Sequence, residues 1–138
     1  MELTSSRGVA VVSEMTAEFF QATHVPAAVR RDATVWVTGQ TGTRPDGSVA
    51  ATTSEQIRQT FVNVGDCLEA AGASWADVVQ MNSYSVGLRQ QGESLLEIAA
   101  EFLDPPFPAW TAVGVVELWE EGAEFELECV AVVTRERT

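Results

Sequence analysis

Two segments near the carboxyl end have the clearest pattern in the chain: Pro108-Ala109-Trp110-Thr111-Ala112-Val113-Gly114-Val115-Val116-Glu117-Leu118 and Phe125-Glu126-Leu127-Glu128-Cys129-Val130-Ala131. The second segment, together with Glu124 before it, alternates strictly between glutamates and apolar residues. Side chains that repeat every two residues lie on one face of a strand. We therefore expect two final strands, over about residues 111–118 and 124–133, with three carboxylates on one face of the second.

These three glutamates have two interpretations. In antiparallel sheets one face of a strand is commonly polar and exposed to solvent, and the alternation alone favours this interpretation. Carboxylates confined in a cleft would instead repel one another, so that one of them would stay protonated more readily near neutral pH. A carboxyl group in that state suits general acid–base catalysis.

Two helices are predicted upstream of these strands. Thr53 followed by Gln56 fits a capping box at the beginning of the first helix, and Gly72 fits a cap at its end. Between them, apolar residues recur at spacings of three and four, which indicates one buried stripe: Ile57, Phe61, Val64, Leu68 and Ala71. The second helix is expected over about residues 92–103, because Pro105-Pro106 stops it. Its expected buried residues are Leu95, Ile98, Ala99 and Phe102.

Further strands are expected at residues 34–38 and 77–86, where β-branched and aromatic residues cluster. Arg44-Pro45-Asp46-Gly47 is predicted to be a turn with a short strand on each side. The resulting order of strands, helix, strand, helix and strands indicates an α+β fold, with two helices on one face of a mixed sheet. Residues 1–24 are expected to form an N-terminal extension with a candidate edge strand at 8–13. Residues 25–138 are expected to form a single domain.

Composition limits the possible functions. The 138 residues include 20 acidic and 8 basic side chains, a net charge of −12, whereas nucleic-acid binding requires a basic surface. Apolar runs are too short to span a membrane, and the first residues do not resemble a secretion signal, so a cytoplasmic location is expected. Cys67 and Cys129 are predicted to be buried thiols. Because His24 is the only histidine, no zinc-type ligand spacing is present and we expect no metal site.

Several fragments, in this order, resemble the reactive-intermediate deaminase (Rid, or YjgF-type) family. They are Val35-Trp36-Val37-Thr38-Gly39-Gln40, the helix containing Asn63 and ending in Ala70-Ala71-Gly72, the strand ending in Tyr84-Ser85-Val86, and the two final segments. The resemblance covers residues 24–133. It implies a chorismate-mutase-like homotrimer whose sheets form a central β-barrel, with ligand clefts between subunits. It implies no metal or organic cofactor.

The same resemblance assigns roles to individual residues. Glu126 matches the glutamate that holds the attacking water and moves protons during imine hydrolysis. Thr38 replaces the family's serine in the cleft, and Gly39 would permit a close backbone approach. Thr111, Tyr84 and Val25 are also expected to line the cleft, although Val25 stands near a position where the family has tyrosine.

Trp110 departs from the family pattern, because it stands where the imine deaminases carry an arginine that clamps the substrate carboxylate. An indole offers one N–H donor and no positive charge. We therefore expect a small neutral imine or enamine as substrate, with Trp110 as an aromatic wall of the cleft. Arg30, Arg44 or Arg89 could restore the charge, but nothing in the sequence directs them to the cleft. The alternatives are a binding trimer without turnover, an ordinary 2-imino acid deaminase, and a protein-interaction trimer.

Overall fold

The computed structural model describes residues 1–134, in which seven strands form one mixed sheet. The elements are β1 (Glu2–Ser5), β2 (Gly8–Val11), α1 (Ala17–Thr23), β3 (Ala28–Arg31), β4 (Thr34–Thr41), α2 (Thr53–Ala70), a 3-10 turn (Trp75–Asp77), β5 (Val78–Ser85), α3 (Leu88–Ala99), β6 (Ala109–Gly114) and β7 (Phe125–Val132). Across the sheet the order is β1-β2-β3-β4-β7-β5-β6. Of these described strands, only β5 and β6 pair in parallel, and α3 makes the crossover that a parallel pair requires.

The core lies between this sheet and the two long helices. The predicted stripe of α2 is confirmed, since Ile57, Phe61, Val64 and Leu68 are fully buried. Phe61 stacks on Phe102, with ring centroids 5.3 Å apart. The predicted α+β class, with a mixed sheet and its two main helices on one face, is confirmed, and the short α1 is an addition to it.

The helix boundaries differ from those expected. The cap of α2 is Thr52, whose hydroxyl accepts a hydrogen bond from the Glu55 amide, rather than Thr53. α3 begins at Leu88, earlier than expected, because Gly87 adopts the left-handed conformation that precedes it (φ +83°). α3 also ends at Ala99, so Phe102 packs on the core from beyond the helix.

The amino-terminal region contains elements that the sequence did not reveal. The candidate edge strand exists as β2, but β1 pairs on its outer side and forms the edge of the sheet. β3 was missed because it ends in two arginines, Arg30 and Arg31, instead of apolar residues. α1 was missed because none of its seven residues is buried, so it has no apolar stripe.

The two final strands confirm the alternation but shift its limits. β6 starts directly after Pro108 and stops at Gly114, short of the predicted end at 118. In β7, Phe125 and Leu127 point into the core, and Glu126 and Glu128 lie half-buried on the opposite face. Glu124 does not join them. It precedes the strand, and its carboxylate accepts a hydrogen bond from the Thr53 hydroxyl at the start of α2.

The face of the sheet opposite α2 and α3 is referred to below as the open face. Trp36 and Val130 are paired on it across β4 and β7, and Tyr84 lies opposite Glu126 across β5 and β7. Its apolar side chains remain accessible, with Trp36 45% and Val132 38% exposed. The open face therefore combines an apolar area with a carboxylate cluster.

Candidate active site

One cavity of about 420 Å³ lies at the end of β4, and Glu126 contributes to its wall. Segments far apart in the chain surround it: α1 and the residues before it, the bend of β4, the turn at residues 43–47, α2 and the loop before β7. The lining includes Met15, Thr16, Glu18, Phe19, Pro26, Ala27, Thr38, Gly39, Gln40, Thr41, Thr43, Arg44, Pro45, Asp46, Gly47, Asn63, Trp119, Glu120 and Glu126. Three of the predicted site residues, Thr38, Gly39 and Glu126, therefore meet at one cavity.

Glu126 is the titratable group best suited to proton transfer. Its partial burial raises the pKa of its carboxyl above the ordinary value, and the negative charge of Glu128 raises it further. Both causes disfavour the ionised form. A raised pKa makes the carboxylate a stronger proton acceptor and keeps more of the group protonated at a given pH, which suits a residue that donates a proton and takes it back.

A β-bulge places the backbone of β4 directly against Glu126. Val37 pairs with Cys129 and Gln40 with Leu127, so Thr38 and Gly39 together oppose the single residue Glu128. A Cβ atom added at Gly39 would lie 2.5 Å from Oε2 of Glu126. Glycine leaves room for the carboxylate in its present place, and a larger residue would displace it.

Thr38 is fixed by the segment before β3. Its hydroxyl donates to the carbonyl oxygen of Pro26 at 2.8 Å, and its amide donates to that of Ala27 at 2.9 Å. The hydroxyl proton is therefore used in this hydrogen bond, and the hydroxyl oxygen can still accept one from a group in the cavity. Thr38 is thus suited to accept a hydrogen bond from a bound N–H group or from water.

Tyr84 lies beside Glu126 on the open face without lining the cavity. Its hydroxyl donates to Oε1 of Glu128 at 2.5 Å, and this hydrogen bond is the main cause that raises the pKa of Tyr84 to about 12. Burial and the charges of Glu128 and Glu126 add to the effect. Tyr84 therefore remains a protonated donor that holds Glu128 in place behind Glu126.

The other predicted site residues lie elsewhere in the chain. Trp110 is half-buried, packs against the core and donates its indole N–H to the Ser83 hydroxyl at 2.9 Å. Thr111 follows it on the exposed edge strand β6, and Val25 is 38% exposed beside Pro26. Within residues 1–134, none of these three lines the cavity that contains Glu126.

The cavity also contains residues to which the sequence analysis gave no role. Asn63 is buried on α2 and donates to the carbonyls of Thr41 and Thr43 at 2.9 and 2.8 Å, which fixes the end of β4. Its place beside the apolar stripe of α2 was the available signal for it. Phe19 and Trp119 lie in segments without periodic patterns, so no comparable signal existed for them.

No group of three or more potential ligands for a metal ion occurs within the described residues 1–134. Cys67 and Cys129 are free and buried, as expected, and burial is the main cause that raises the pKa of each thiol to about 12. Among the same residues, no helix combines the length and the apolar character needed to cross a bilayer.

Known proteins resemble this chain over most of its length. The profile of the family described as Endoribonuclease L-PSP (Ribonuc_L-PSP) matches residues 15–133. The chain is 36% identical over 106 residues to the RutC family protein YjgH of Escherichia coli strain K12, which covers 76% of this chain and 79% of that protein. It is 33% identical over 110 residues to a 2-iminobutanoate/2-iminopropanoate deaminase of Dermatophagoides farinae. That match covers 77% of this chain and 83% of the relative. The solved structure of Rv2704 from Mycobacterium tuberculosis, described as a member of the YjgF/YER057c/UK114 family, superposes with a TM-score of 0.78 at 28% identity, over 90% of this chain and 98% of that one.

Proposed function

Because the chain belongs to the Endoribonuclease L-PSP family, the Rid or YjgF-type family that its sequence resembles, we propose that it hydrolyses a small imine or enamine without a carboxylate. The observation that carries the proposal is the half-buried carboxyl of Glu126, whose pKa is raised, in the cavity beside Gly39. Relatives named 2-iminobutanoate/2-iminopropanoate deaminase support imine chemistry in general.

The proposed reaction needs one proton-transfer group and water. The protonated carboxyl of Glu126 donates its proton to the imine nitrogen, which makes the imine carbon more electrophilic. The resulting carboxylate then takes a proton from the water that attacks this carbon. That proton then moves to nitrogen. As the C–N bond breaks and ammonia leaves, the carboxylate takes the proton of the new hydroxyl group, which releases a carbonyl compound and restores the protonated carboxyl. No metal or organic cofactor enters this sequence.

The charge of the cavity argues against a carboxylate on the substrate. Arg44 is the one Lys or Arg side chain among the lining residues within 1–134, and it is paired with Glu55 at 3.2 Å. Trp110 directs its indole into its own subunit. A hydrogen bond to a charged group contributes about 1.5–3 kcal/mol, and about 1.4 kcal/mol changes an equilibrium constant tenfold. Without a clamp of two such bonds, we expect 2-imino acids to react at least about a hundredfold more slowly than in relatives that have it.

The same site argues against cleavage of RNA, which the family description suggests. The net charge of −12 and the glutamates around the cavity oppose the approach of a phosphate backbone. No histidine lines the cavity within residues 1–134 to act as the base.

We further propose that the active form is a homotrimer with the cleft completed between subunits. Two features support this arrangement: the apolar part of the open face remains accessible, and β6 is an edge strand whose residues are mostly exposed. A second copy packed there would bury both features. Such an arrangement would also bring residues of a neighbouring subunit towards the cavity mouth.

The test is a matched hydrolysis assay. Flavin amine oxidase would generate the imine of phenethylamine, and amino-acid oxidase would generate the 2-imino acid of phenylalanine, with spontaneous decay subtracted. We expect acceleration of the carboxylate-free imine, at least a hundredfold loss in Glu126→Gln, and normal activity in Glu117→Gln, which replaces an exposed glutamate outside the cavity. Equal rates in Glu126→Gln and wild type would contradict the proposal and favour a binding protein without turnover. Faster hydrolysis of the 2-imino acid would contradict the assigned substrate class.

A further inference from the structure

The ionisable side chains around the cavity are mostly acidic. Among the described residues 1–134, Glu18, Asp46, Glu120 and Glu126 line it, against the single cation Arg44. Arg44 forms its ion pair with Glu55, which lies outside the lining, so its charge is largely balanced there. A mobile ligand therefore meets an excess of negative charge.

The carboxylates at the rim have few competing partners. Within residues 1–134, neither Glu18 nor Glu120 forms an ion pair. The side chain and amide of Ser48 donate to Oδ1 of Asp46 at 2.6 and 2.9 Å, and these bonds are the main cause that lowers the pKa of this carboxyl. Asp46 is thus ionised at neutral pH, and the charge of the two glutamates remains available to a ligand.

Two exposed aromatic side chains line the same cavity. Phe19 of α1 is 45% exposed, and Trp119 of the loop before β7 is 85% exposed. Leaving large aromatic surfaces in water is unfavourable, and the face of an aromatic ring attracts a cation electrostatically. Trp119 also immediately precedes Glu120, so aromatic surface and negative charge are adjacent in the chain.

We propose that this cavity selects a cationic ligand with an apolar or aromatic substituent, namely an iminium ion without a carboxylate. The proposal rests on the proposed function and specifies its substrate. Phe19 and Trp119 contact the substituent and the positive charge, and Glu18, Asp46 and Glu120 attract that charge. Glu126 forms this cation when it protonates the imine nitrogen, and the protonated imine is the species that water attacks. A cavity that stabilises the cation therefore favours the reactive form.

The experiment uses three probes that share a benzene ring: benzyltrimethylammonium, benzyl alcohol and benzoate. Their binding to the wild-type protein would be measured by calorimetry, which requires no turnover. We expect benzyltrimethylammonium to bind at least tenfold more tightly than either other probe. We also expect its affinity alone to fall as salt is raised from 20 to 500 mM, because salt screens charges at an open cavity.

Variants separate the contributions of charge and aromatic surface. The double variant Glu18→Gln/Glu120→Gln is expected to weaken binding of the cation about tenfold and leave benzyl alcohol unchanged. Glu121→Gln, an exposed neighbour outside the lining, is the matched control. Trp119→Leu is expected to weaken binding of the cation several-fold, and Trp119→Phe to retain most of it. A comparable loss in Trp119→Phe would show that ring–cation contact is not the cause.

The outcomes distinguish this inference from the proposed function. Benzoate that binds as tightly as the cation, or no measurable binding of any probe at 10 mM, overturns the inference while Glu126-dependent hydrolysis can persist. Selective binding of the cation without any Glu126-dependent hydrolysis supports the selectivity and overturns the enzymatic role.

Discussion

At the level of single residues, the contact between Gly39 and Glu126 is the most restrictive feature of the site. The bulge brings the β4 backbone so close that any side chain at position 39 would collide with the carboxylate. Glycine at position 39 therefore allows the proton-transfer group to lie where it does. The collision, rather than backbone conformation, makes glycine necessary, since Gly39 is not among the glycines with positive φ.

Gly39→Ala should therefore damage activity more than stability. The added methyl group must displace the Glu126 carboxylate, so we expect at least a tenfold loss in kcat/KM. Overpacking typically lowers the free energy of unfolding by about 1–3 kcal/mol. Gly92→Ala is the control, because a Cβ there meets nothing within 4 Å. In the interior of α3 it should stabilise the protein by about 0.5–1 kcal/mol. Full activity in Gly39→Ala would contradict the assigned geometry.

Glu126 should also make stability depend on pH. Burial raises the pKa of its carboxyl in the folded state, so the folded protein binds this proton more tightly than the unfolded chain does. Below the pKa of the unfolded chain, both states are protonated and Glu126 contributes its full stability. As pH rises from there through the pKa of the folded state, this contribution to the free energy of unfolding is lost.

Urea unfolding of wild type and Glu126→Gln at pH 4 and pH 7 tests this sign. Glutamine resembles the protonated carboxyl, so the variant should gain stability relative to wild type between pH 4 and pH 7. A relative gain by the wild type over the same range would show that the environment favours the ionised carboxylate.

At the level of elements, Gln56 connects α2 to the segment that leads into β7. Its amide donates to the carbonyls of Ala50 and Gly122 at 3.1 and 3.2 Å, and its oxygen accepts from the Glu124 amide at 2.8 Å. The side chain is 3% exposed, so water cannot easily replace these bonds. It therefore determines how the loop carrying Trp119 returns to the sheet.

Gln56→Leu should lower the free energy of unfolding by about 3 kcal/mol or more. Three backbone groups lose their partner, and each buried unsatisfied group costs about 1–3 kcal/mol. Gln90→Leu, at an exposed position of α3, should change stability by less than about 0.5 kcal/mol. Chemical denaturation monitored by circular dichroism would measure both. A small loss in Gln56→Leu would indicate that water enters and satisfies these groups.

The sequence predicted those elements whose buried residues recur with a regular period. α2 and β7 have such periods, and their buried apolar residues were predicted correctly, whereas the buried polar residues of α2 were not. α1 has no buried residue and β3 ends in two arginines, so neither offers a period to detect. Glu126 and Gly39 were assigned a role from family resemblance. Phe19 and Trp119 could not be assigned a role from the sequence, because only folding brings α1 and the loop before β7 to the same cavity.

At the level of the whole molecule, the open face makes the proposed trimer testable. Trp36 is 45% exposed there and pairs with Val130 across the strands. Trp36→Glu would place a charge within the buried area of a trimer, so we expect dissociation in sedimentation velocity experiments and a parallel loss of hydrolysis. Leu96→Glu, at a position of α3 that is 57% exposed, is the control and should leave both unchanged. A Trp36→Glu trimer with full activity would place the interface elsewhere.

The two buried thiols have a practical consequence for studying all of these variants. Cys67 on α2 and Cys129 on β7 belong to the two layers of the core, and the charge of one adds to the raised pKa of the other. With pKa values of about 12, only about one thiol in ten thousand would be ionised at pH 8, and the thiolate is the form that alkylating reagents modify. A reagent can therefore alkylate these thiols only when the core opens and α2 separates from the sheet. The rate at which these two cysteines are alkylated, measured by mass spectrometry, therefore reports how often the core opens. No added dye or engineered cysteine is needed.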